Sequence, residues 1–305
     1  MRIRGQNDLS VAILGLGAVG GFLAGLFLRK GFAVTCIVKE QNAGLFIQEG
    51  IRIQSSTFGD FTVHPRIVTY LDRKVDILLV TVKSIDLDNA IKRIDPGYVK
   101  DALIIPLLNG LEHMQVIRLA FNGLVIAATI GRVELKRMEL NHIVHSTHSA
   151  HIDLAYKGDI EKNVLTEIAE LFSGIGITAK VLNSEADVFW QKLVRLNAIA
   201  CTTSATNKPV GFVRSDREWR KRLKGCVDEA ARVAQAEGVN IDSDAVMDQI
   251  DNLPEGLGTS MQRDIAAGKP SELDSIAGAV IRAGARHGIV CSAIEALLNE
   301  LNTNK

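Results

Sequence analysis

Gly15, Gly17 and Gly20 stand in the order G-x-G-x-x-G within the run Gly15-Leu16-Gly17-Ala18-Val19-Gly20-Gly21. An apolar run from Val11 to Leu14 leads in, and a second from Phe22 to Leu28 leads out to Arg29, Lys30 and Gly31. The reading is strand, tight turn, helix. The chemistry is that of phosphate: glycines let the backbone turn sharply and approach a pyrophosphate, and the helix start offers N–H groups and the positive end of its dipole. Gly15, Leu16, Gly17, Ala18, Val19 and Gly20 are therefore candidates for cradling a dinucleotide. The same stretch admits another reading. Arg2 and Arg4 precede it, it is uncharged, and Gly17, Gly21 and Gly25 have the small-residue spacing of membrane helix pairs, so a signal peptide or membrane span is the alternative. Against that alternative, the glycines would weaken such a helix and no small-residue cleavage site follows. A strand-like run at 33–38 comes next, as a βαβ unit requires.

Two other strand ends carry polar groups suited to a ligand. Thr81-Val82-Lys83-Ser84 and Leu108-Asn109-Gly110-Leu111 each follow an apolar, β-branched run. In an open α/β sheet ligands sit at the carboxyl ends of strands, so Lys83 and Asn109 are natural partners for a cofactor and a carbonyl substrate; each alone also reads as a solvated turn residue. After the second strand, Lys39 precedes Glu40 where NAD-binding chains place an acid. A cation first suggests a 2′-phosphate, hence NADP; a plain surface lysine is the other reading. His142, His145, His148 and His151 recur every third residue. On a strand they alternate between faces, so exposed strand histidines are expected and no metal site.

The elements that must position these residues follow a rhythm. Strand-like runs at 33–38, 51–54 with 61–68, 76–82, 103–108 and 125–129 alternate with helical ones at 40–49, 85–94 and 111–121. The pattern predicts a mostly parallel sheet with helices on both faces, a Rossmann-like α/β domain. Polar alternation from 134 to 154 suggests antiparallel strands, followed by a helix at 162–173 and a strand at 179–182. After Asn183 the pattern is helical throughout: 185–204, 217–237, 242–253, 259–267, 271–287 and 293–301. The expected domains are 1–183 and 184–305, the second all-α.

The chain has 305 residues, 47% of them hydrophobic, enough for a core in each domain. Its 35 basic and 35 acidic side chains balance, which gives no electrostatic footprint for nucleic acid or anionic membrane. The cysteines, Cys36, Cys201, Cys226 and Cys291, are far apart and form no C-x-x-C pair. Buried free thiols in a reducing, cytoplasmic setting are expected.

Further along come Phe189-Trp190-Gln191-Lys192-Leu193, then Gly258-Thr259-Ser260-Met261-Gln262-Arg263-Asp264-Ile265, then Gly268-Lys269-Pro270-Ser271-Glu272-Leu273-Asp274, Gly278 and His287-Gly288-Ile289. With the glycine motif, Thr81-Val82-Lys83 and Asn109-Gly110, the chain resembles the ketopantoate reductase (2-dehydropantoate 2-reductase) family over nearly its whole length. The resemblance implies an N-terminal Rossmann domain that binds NADPH and a helical C-terminal domain. It implies a catalytic lysine at Lys192, in a W-x-K-L setting, and a substrate contact at Ser260. It implies a glutamate near the cofactor and the lysine at Glu272, and the family's strand-end lysine and asparagine at Lys83 and Asn109. The residue types agree with ketone reduction: a charged lysine can stabilise an oxyanion and deliver a proton, and a carboxylate can orient it.

The chain also departs from the family. Many members carry Asn four and eight residues after the lysine, where Leu196 and Ala200 stand here. Asn197 is turned about 140° from the Lys192 direction on a regular helix, whereas Thr203 returns to that face; both are candidate substrate contacts. The expected function is NADPH-dependent reduction of 2-dehydropantoate in pantothenate and coenzyme A synthesis. Reduction of another small 2-oxo acid and a non-catalytic nicotinamide-nucleotide sensor are the alternatives. A homodimer is compatible with the resemblance.

Overall fold

The computed structural model describes residues 9–158 and 162–303; Arg2 and Arg4 lie outside them. The chain packs into two units. One runs to Leu108 and resumes at His113–Val188; the other comprises Asn109–Glu112 and the chain from Phe189 onward.

The first unit opens with β1 (Ser10–Leu14), α1 (Ala18–Arg29), β2 (Ala33–Ile37), α2 (Glu40–Glu49), β3 (Ile51–Ser55), β4 (Phe61–Val63), β5 (Arg66–Val68) and β6 (Ile77–Val80). It continues with α3 (Leu87–Ile91), β7 (Leu103–Pro106), α4 (His113–Ala120), β8 (Leu124–Val125) and β9 (Ala127–Gly131). Then come β10 (Leu135–Glu139), β11 (His142–His145), β12 (His151–Ala155), α5 (Lys162–Gly174) and β13 (Thr178–Val181). Six strands form a parallel sheet in the order β5-β2-β1-β6-β7-β8. The sheet is covered on both faces, which is why Val11 to Leu14 and Ile77 to Val80 are all buried and read as continuous apolar runs. This is the Rossmann-like sheet that the alternating pattern predicts.

Two smaller sheets complete the unit, β10-β11-β3-β4 and β13-β12-β9. The expectation of antiparallel strands over 134–154 holds in part: β12 pairs antiparallel with β9 but parallel with β13. β10 and β11 are antiparallel, but β11 runs parallel to β3, with His142 opposite Arg52 and His145 opposite Ser55. The expected single strand at 61–68 is two: Pro65 has no N–H to continue the ladder, so Phe61–Val63 stays with β3 and Arg66–Val68 crosses to β2. The expected helix at 85–94 is a short 3₁₀ turn, Ser84–Asp86, followed by α3.

Helix α1 is apolar all round because it is covered all round. Its residues Gly20 to Phe27 are buried, and it packs both on β1 and β2 and on the strands of the four-stranded sheet. Among the described residues no helix is long and apolar enough to cross a membrane.

The second unit is helical. α6 (Glu185–Thr206) starts in the first unit and runs into it, followed by α7 (Val210–Ser215), α8 (Arg217–Ala236), α9 (Ser243–Asp251), α10 (Ser260–Ala266), α11 (Ala279–Arg286) and α12 (Ser292–Thr303). α8 packs against α7, α9, α11 and α12. Side chains cap the starts of α8, α9 and α10. The Asp216 carboxylate accepts from the Glu218 and Trp219 amides, and Thr259 with Gln262 forms a reciprocal capping box. Glu229 is a buried carboxylate whose cost is met by donors: it accepts from the Ala293 amide at 2.8 Å, the Ile294 amide at 3.0 Å and the Ser292 hydroxyl at 3.2 Å. The expected continuous helix at 271–287 is instead a π turn, Asp274–Gly278, leading into α11. All four cysteines are free and buried; burial pushes the Cys201 thiol up to about 12 and Cys291 up to about 11, so neither is a reactive thiolate at neutral pH.

Of the four histidines expected to be exposed, His148 is exposed and His142 and His151 are half-buried, but His145 is not. His145 is 1% exposed, its ring tilted against that of Phe22 with centroids 4.7 Å apart. Its Nδ1 lies 2.9 Å from the Ser55 hydroxyl and its Nε2 3.0 Å from the Thr147 hydroxyl. Hydroxyls can donate or accept, so both ring nitrogens are satisfied with the ring neutral. Burial, reinforced by His148, lowers its pKa below the ordinary value. The unfolded chain therefore binds the proton more tightly. The stability that follows is complete above about pH 6.5 and is lost as pH falls through the lowered folded value. Replacing His145 by Gln, which keeps one donor and one acceptor, is expected to flatten this acid-side loss. Urea midpoints at pH 7.5 and pH 5 measure it; an equal drop in wild type and variant would contradict the assignment.

Candidate active site

In the first unit, two strand ends build the glycine turn. Gly15 sits at φ +98°, and a Cβ there would fall 2.5 Å from Val82 Cγ1. The Thr81 hydroxyl, at the end of β6, donates to the Gly15 carbonyl at 2.6 Å and so fixes the turn from the neighbouring strand. A Cβ at Gly20 would fall 2.1 Å from the Gly15 carbonyl oxygen and 2.4 Å from Thr81 Oγ1, so only glycine lets α1 rest this closely on the turn. Gly17 differs: the nearest atom to a Cβ there is Thr81 O at 3.9 Å, and this side is open to an approaching group. Gly17 caps α1 without a side-chain hydrogen bond, and the first turn, which begins Ala18-Val19, holds no acid. The three glycines thus separate into a turn, an approach and a packing contact. This cradle, with the positive end of a buried helix behind it, fits the pyrophosphate of a dinucleotide.

Lys39 occupies the N-cap position of α2, with Val38 between it and the end of β2. Its ammonium lies 3.2 Å from Asp86 Oδ1, both side chains being about half exposed. Lys83 occupies the N-cap position of the 3₁₀ turn that contains Asp86. The fold therefore brings Lys39 and Lys83 to the same edge of the parallel sheet, beyond the carboxyl ends of β2 and β6.

In the second unit the decisive group is Asn109. Lys192 Nζ donates to Asn109 Oδ1 at 2.9 Å, and Asn109 Nδ2 donates to Glu272 Oε2 at 3.1 Å. A single amide thus spans an ammonium on α6 and a 7% exposed carboxylate just before the π turn. Only one orientation of the amide serves both neighbours, oxygen to the cation and NH₂ to the anion. Gly110 holds this loop in place: it sits at φ +94°, and a Cβ there would fall 2.2 Å from the Ser275 carbonyl oxygen.

The remaining candidates divide. Thr203 is fully buried on α6; its hydroxyl donates to the Ile199 carbonyl at 2.7 Å and lies 3.3 Å from that of Thr259. Thr259 is the cap of α10, so Thr203 stands beside the start of the helix whose first residue is the exposed Ser260. Asn197 does not join this group. It is fully buried, with Oδ1 accepting from the Cys201 thiol at 3.6 Å, as its helical phase relative to Lys192 implies. Thr259 was not singled out from the sequence, although its T-x-x-Q pattern with Gln262 is a legible cap signal. Among the described residues no group of three or more His, Cys, Asp or Glu side chains could hold a metal ion.

The family described as "Ketopantoate reductase PanE/ApbA" matches residues 11–157, and "Ketopantoate reductase PanE/ApbA C terminal" matches residues 186–305. A 2-dehydropantoate 2-reductase of Caulobacter vibrioides is 28% identical over 303 residues, covering 95% of this chain and 98% of its own. The crystal structure of a PanE/ApbA family ketopantoate reductase from Ralstonia eutropha is 25% identical, with a TM-score of 0.85 and coverage of 97% of this chain and 98% of that one. A D-mandelate dehydrogenase solved with NADH and anilino(oxo)acetate shares the fold, with a TM-score of 0.89 at 18% identity over 97% of this chain and 98% of that one. The chain belongs to the ketopantoate reductase family and is an NADP-dependent oxidoreductase.

Proposed function

We propose that the protein reduces 2-dehydropantoate (ketopantoate) to pantoate with NADPH, a step of pantothenate and coenzyme A biosynthesis. Residues 1–183 are the NADP-binding domain and 184–305 the substrate and catalytic domain. The observation that carries this reading is the run from Lys192 through Asn109 to Glu272: a cation held by an amide whose other end is tied to a carboxylate. We propose the cytoplasm as its compartment, which four free, buried thiols support.

NADPH supplies the hydride when bound. Gly15 to Gly20 and the start of α1 would hold its pyrophosphate, Lys39 would meet the 2′-phosphate in place of Asp86, and Lys83 would serve the cofactor at the end of β6. Lys192 does the acid chemistry: its ammonium stabilises the negative charge that grows on the ketone oxygen and passes a proton to it. Asn109 fixes the end of that flexible side chain and shares the ketone. Glu272 holds Asn109 in the orientation that presents an oxygen to the ammonium. Ser260 takes the substrate carboxylate. Lys192→Ala is expected to lower kcat by about 10²-fold or more with NADPH affinity little changed; turnover at the wild-type rate would remove Lys192 from the mechanism.

The cofactor assignment makes its own demand. If Lys39 pairs with the 2′-phosphate, kcat/KM with NADPH exceeds that with NADH, and Lys39→Ala raises KM for NADPH more than for NADH. Equal use of both cofactors by the wild type would overturn it.

A second reading, reduction of a different small 2-oxo acid, is favoured by one observation. Ketopantoate carries a distal hydroxyl, and the α6 positions four and eight residues beyond Lys192 are Leu196 and Ala200, which offer it no hydrogen bond. An unpartnered buried hydroxyl costs about 1–3 kcal/mol, roughly tenfold to a hundredfold in kcat/KM. The Thr203 hydroxyl, whose proton goes to the Ile199 carbonyl, would offset this only as an acceptor. Ketopantoate compared with 2-oxoisovalerate, which lacks the hydroxymethyl group, decides the matter. Ketopantoate is expected to win; a preference for the analogue of about tenfold or more would keep the reductase and discard the pantothenate role.

A further inference from the structure

Three residues beyond Asn109, Glu112 meets Arg282 of α11 in a two-pronged pair: Nε donates to Oε1 and Nη2 to Oε2, each at 2.8 Å. The same guanidinium donates through Nη1 to Asp274 Oδ1 at 2.8 Å and through Nη2 to Asp274 Oδ2 at 3.1 Å and to its carbonyl at 3.3 Å. Asp274 lies two residues beyond Glu272. One guanidinium therefore ties the segment that carries Asn109 to the segment that carries Glu272. Gly278 makes room for it, since a Cβ there would fall 2.4 Å from Asp274 Oδ1 and 2.9 Å from Arg282 Nη1.

These side chains are 42%, 48% and 79% exposed for Arg282, Glu112 and Asp274, and exposed ion pairs add little to stability. What a planar guanidinium engaged with two carboxylates does supply is direction: its fork admits a narrow range of approach to each. Within the second unit, that direction is what an amide with hydrogen bonds at both ends requires.

We propose that Arg282 is a positioning residue for the reductase. It clamps Glu112 and Asp274 so that Asn109 stays spanned between Lys192 and Glu272. The inference rests on the reading of Lys192 as the proton donor. A one-ångström misplacement of catalytic groups can cost on the order of a hundredfold in rate, so losing the clamp while keeping the groups is expected to cost about a tenth of that.

The test is steady-state reduction of ketopantoate by NADPH, or of 2-oxoisovalerate if that is turned over faster. Arg282→Ala, Arg282→Lys and Glu112→Gln are each measured with Asn109 intact and in the Asn109→Ala background. Arg282→Ala is expected to lower kcat about tenfold, with KM for NADPH within about twofold. Glu112→Gln is expected to lower kcat less, and Arg282→Lys to recover part of the loss, because one ammonium cannot fork to two carboxylates. In the Asn109→Ala background the loss from Arg282→Ala is expected to shrink to under about twofold, since residues that act through one another are not additive. Equal losses in both backgrounds would mean a structural role independent of Asn109 and would overturn the inference, as would unchanged kcat in both Arg282→Ala and Glu112→Gln. If Arg282→Ala does not fold, Glu112→Gln in the two backgrounds decides alone. Wild-type kcat in Lys192→Ala and Asn109→Ala would instead sink the catalytic reading itself, and turnover of neither acid would sink both.

Discussion

The first unit depends on how closely α1 can lie against its surroundings. Three positions on the helix carry no side chain where one would collide: Gly20 against the Gly15 carbonyl, Gly21 with a Cβ 2.2 Å from Ile143 Cδ1, and Gly25 with a Cβ 2.0 Å from Ile53 Cδ1. The first faces the parallel sheet and the other two face the four-stranded sheet. The helix is thus a spacer of minimal thickness between two sheets. Its far end is held by Arg29, which lies 4.4 Å over the Phe61 ring and donates to the Phe58 carbonyl at 2.5 Å. Its near end, pressed onto the turn after β1, is the cradle for phosphate. Packing and ligand geometry are set by the same contacts, so a change that thickens the helix disturbs both.

The same constraint explains why the opening stretch reads two ways from sequence. A helix enclosed on both sides has no polar face to declare it soluble, and glycines placed for close approach to a sheet have the spacing of glycines placed for close approach to a membrane partner. The strand that follows at once resolves it. Most of the parallel sheet was legible because strands buried on both faces leave unbroken apolar runs. What was not legible depended on distant partners. His145 sits in a polar stretch and looks exposed, but the Ser55 hydroxyl that receives it is 90 residues away in the chain. Pro65 carried the signal that splits 61–68 into two strands, and the missing N–H is the reason.

The site shows the same limit. The residue types of Lys192, Asn109 and Glu272 and their motifs were readable, yet their order was not. Asn109 lies 83 residues from Lys192 and 163 from Glu272, and no local pattern says that it stands between them. Nor does any local pattern say that the four residues from Asn109 to Glu112 leave the unit of their chain neighbours to pack with the helical one. A hydrogen-bonding side chain at a strand end is a generic signal; its oxygen turned to a cation and its nitrogen to an anion is a property of the folded chain alone.

The π turn at Asp274–Gly278 has a bearing on how this stretch is to be compared with others. On an unbroken α-helix, positions eight apart are rotated by about 80° from one another, whereas positions seven apart differ by only about 20°. A winding that takes in one extra residue gives Asp274 and Arg282, eight apart, the phase of seven, and their carboxylate and guanidinium meet. Counting along the letters therefore misstates which side chains share a face here. A homologous stretch wound as a plain helix would align with this one only across a one-residue gap. A deletion within 274–278 is the rare kind that a helix can absorb, because it returns the winding to its regular form while leaving the flanking turns in step.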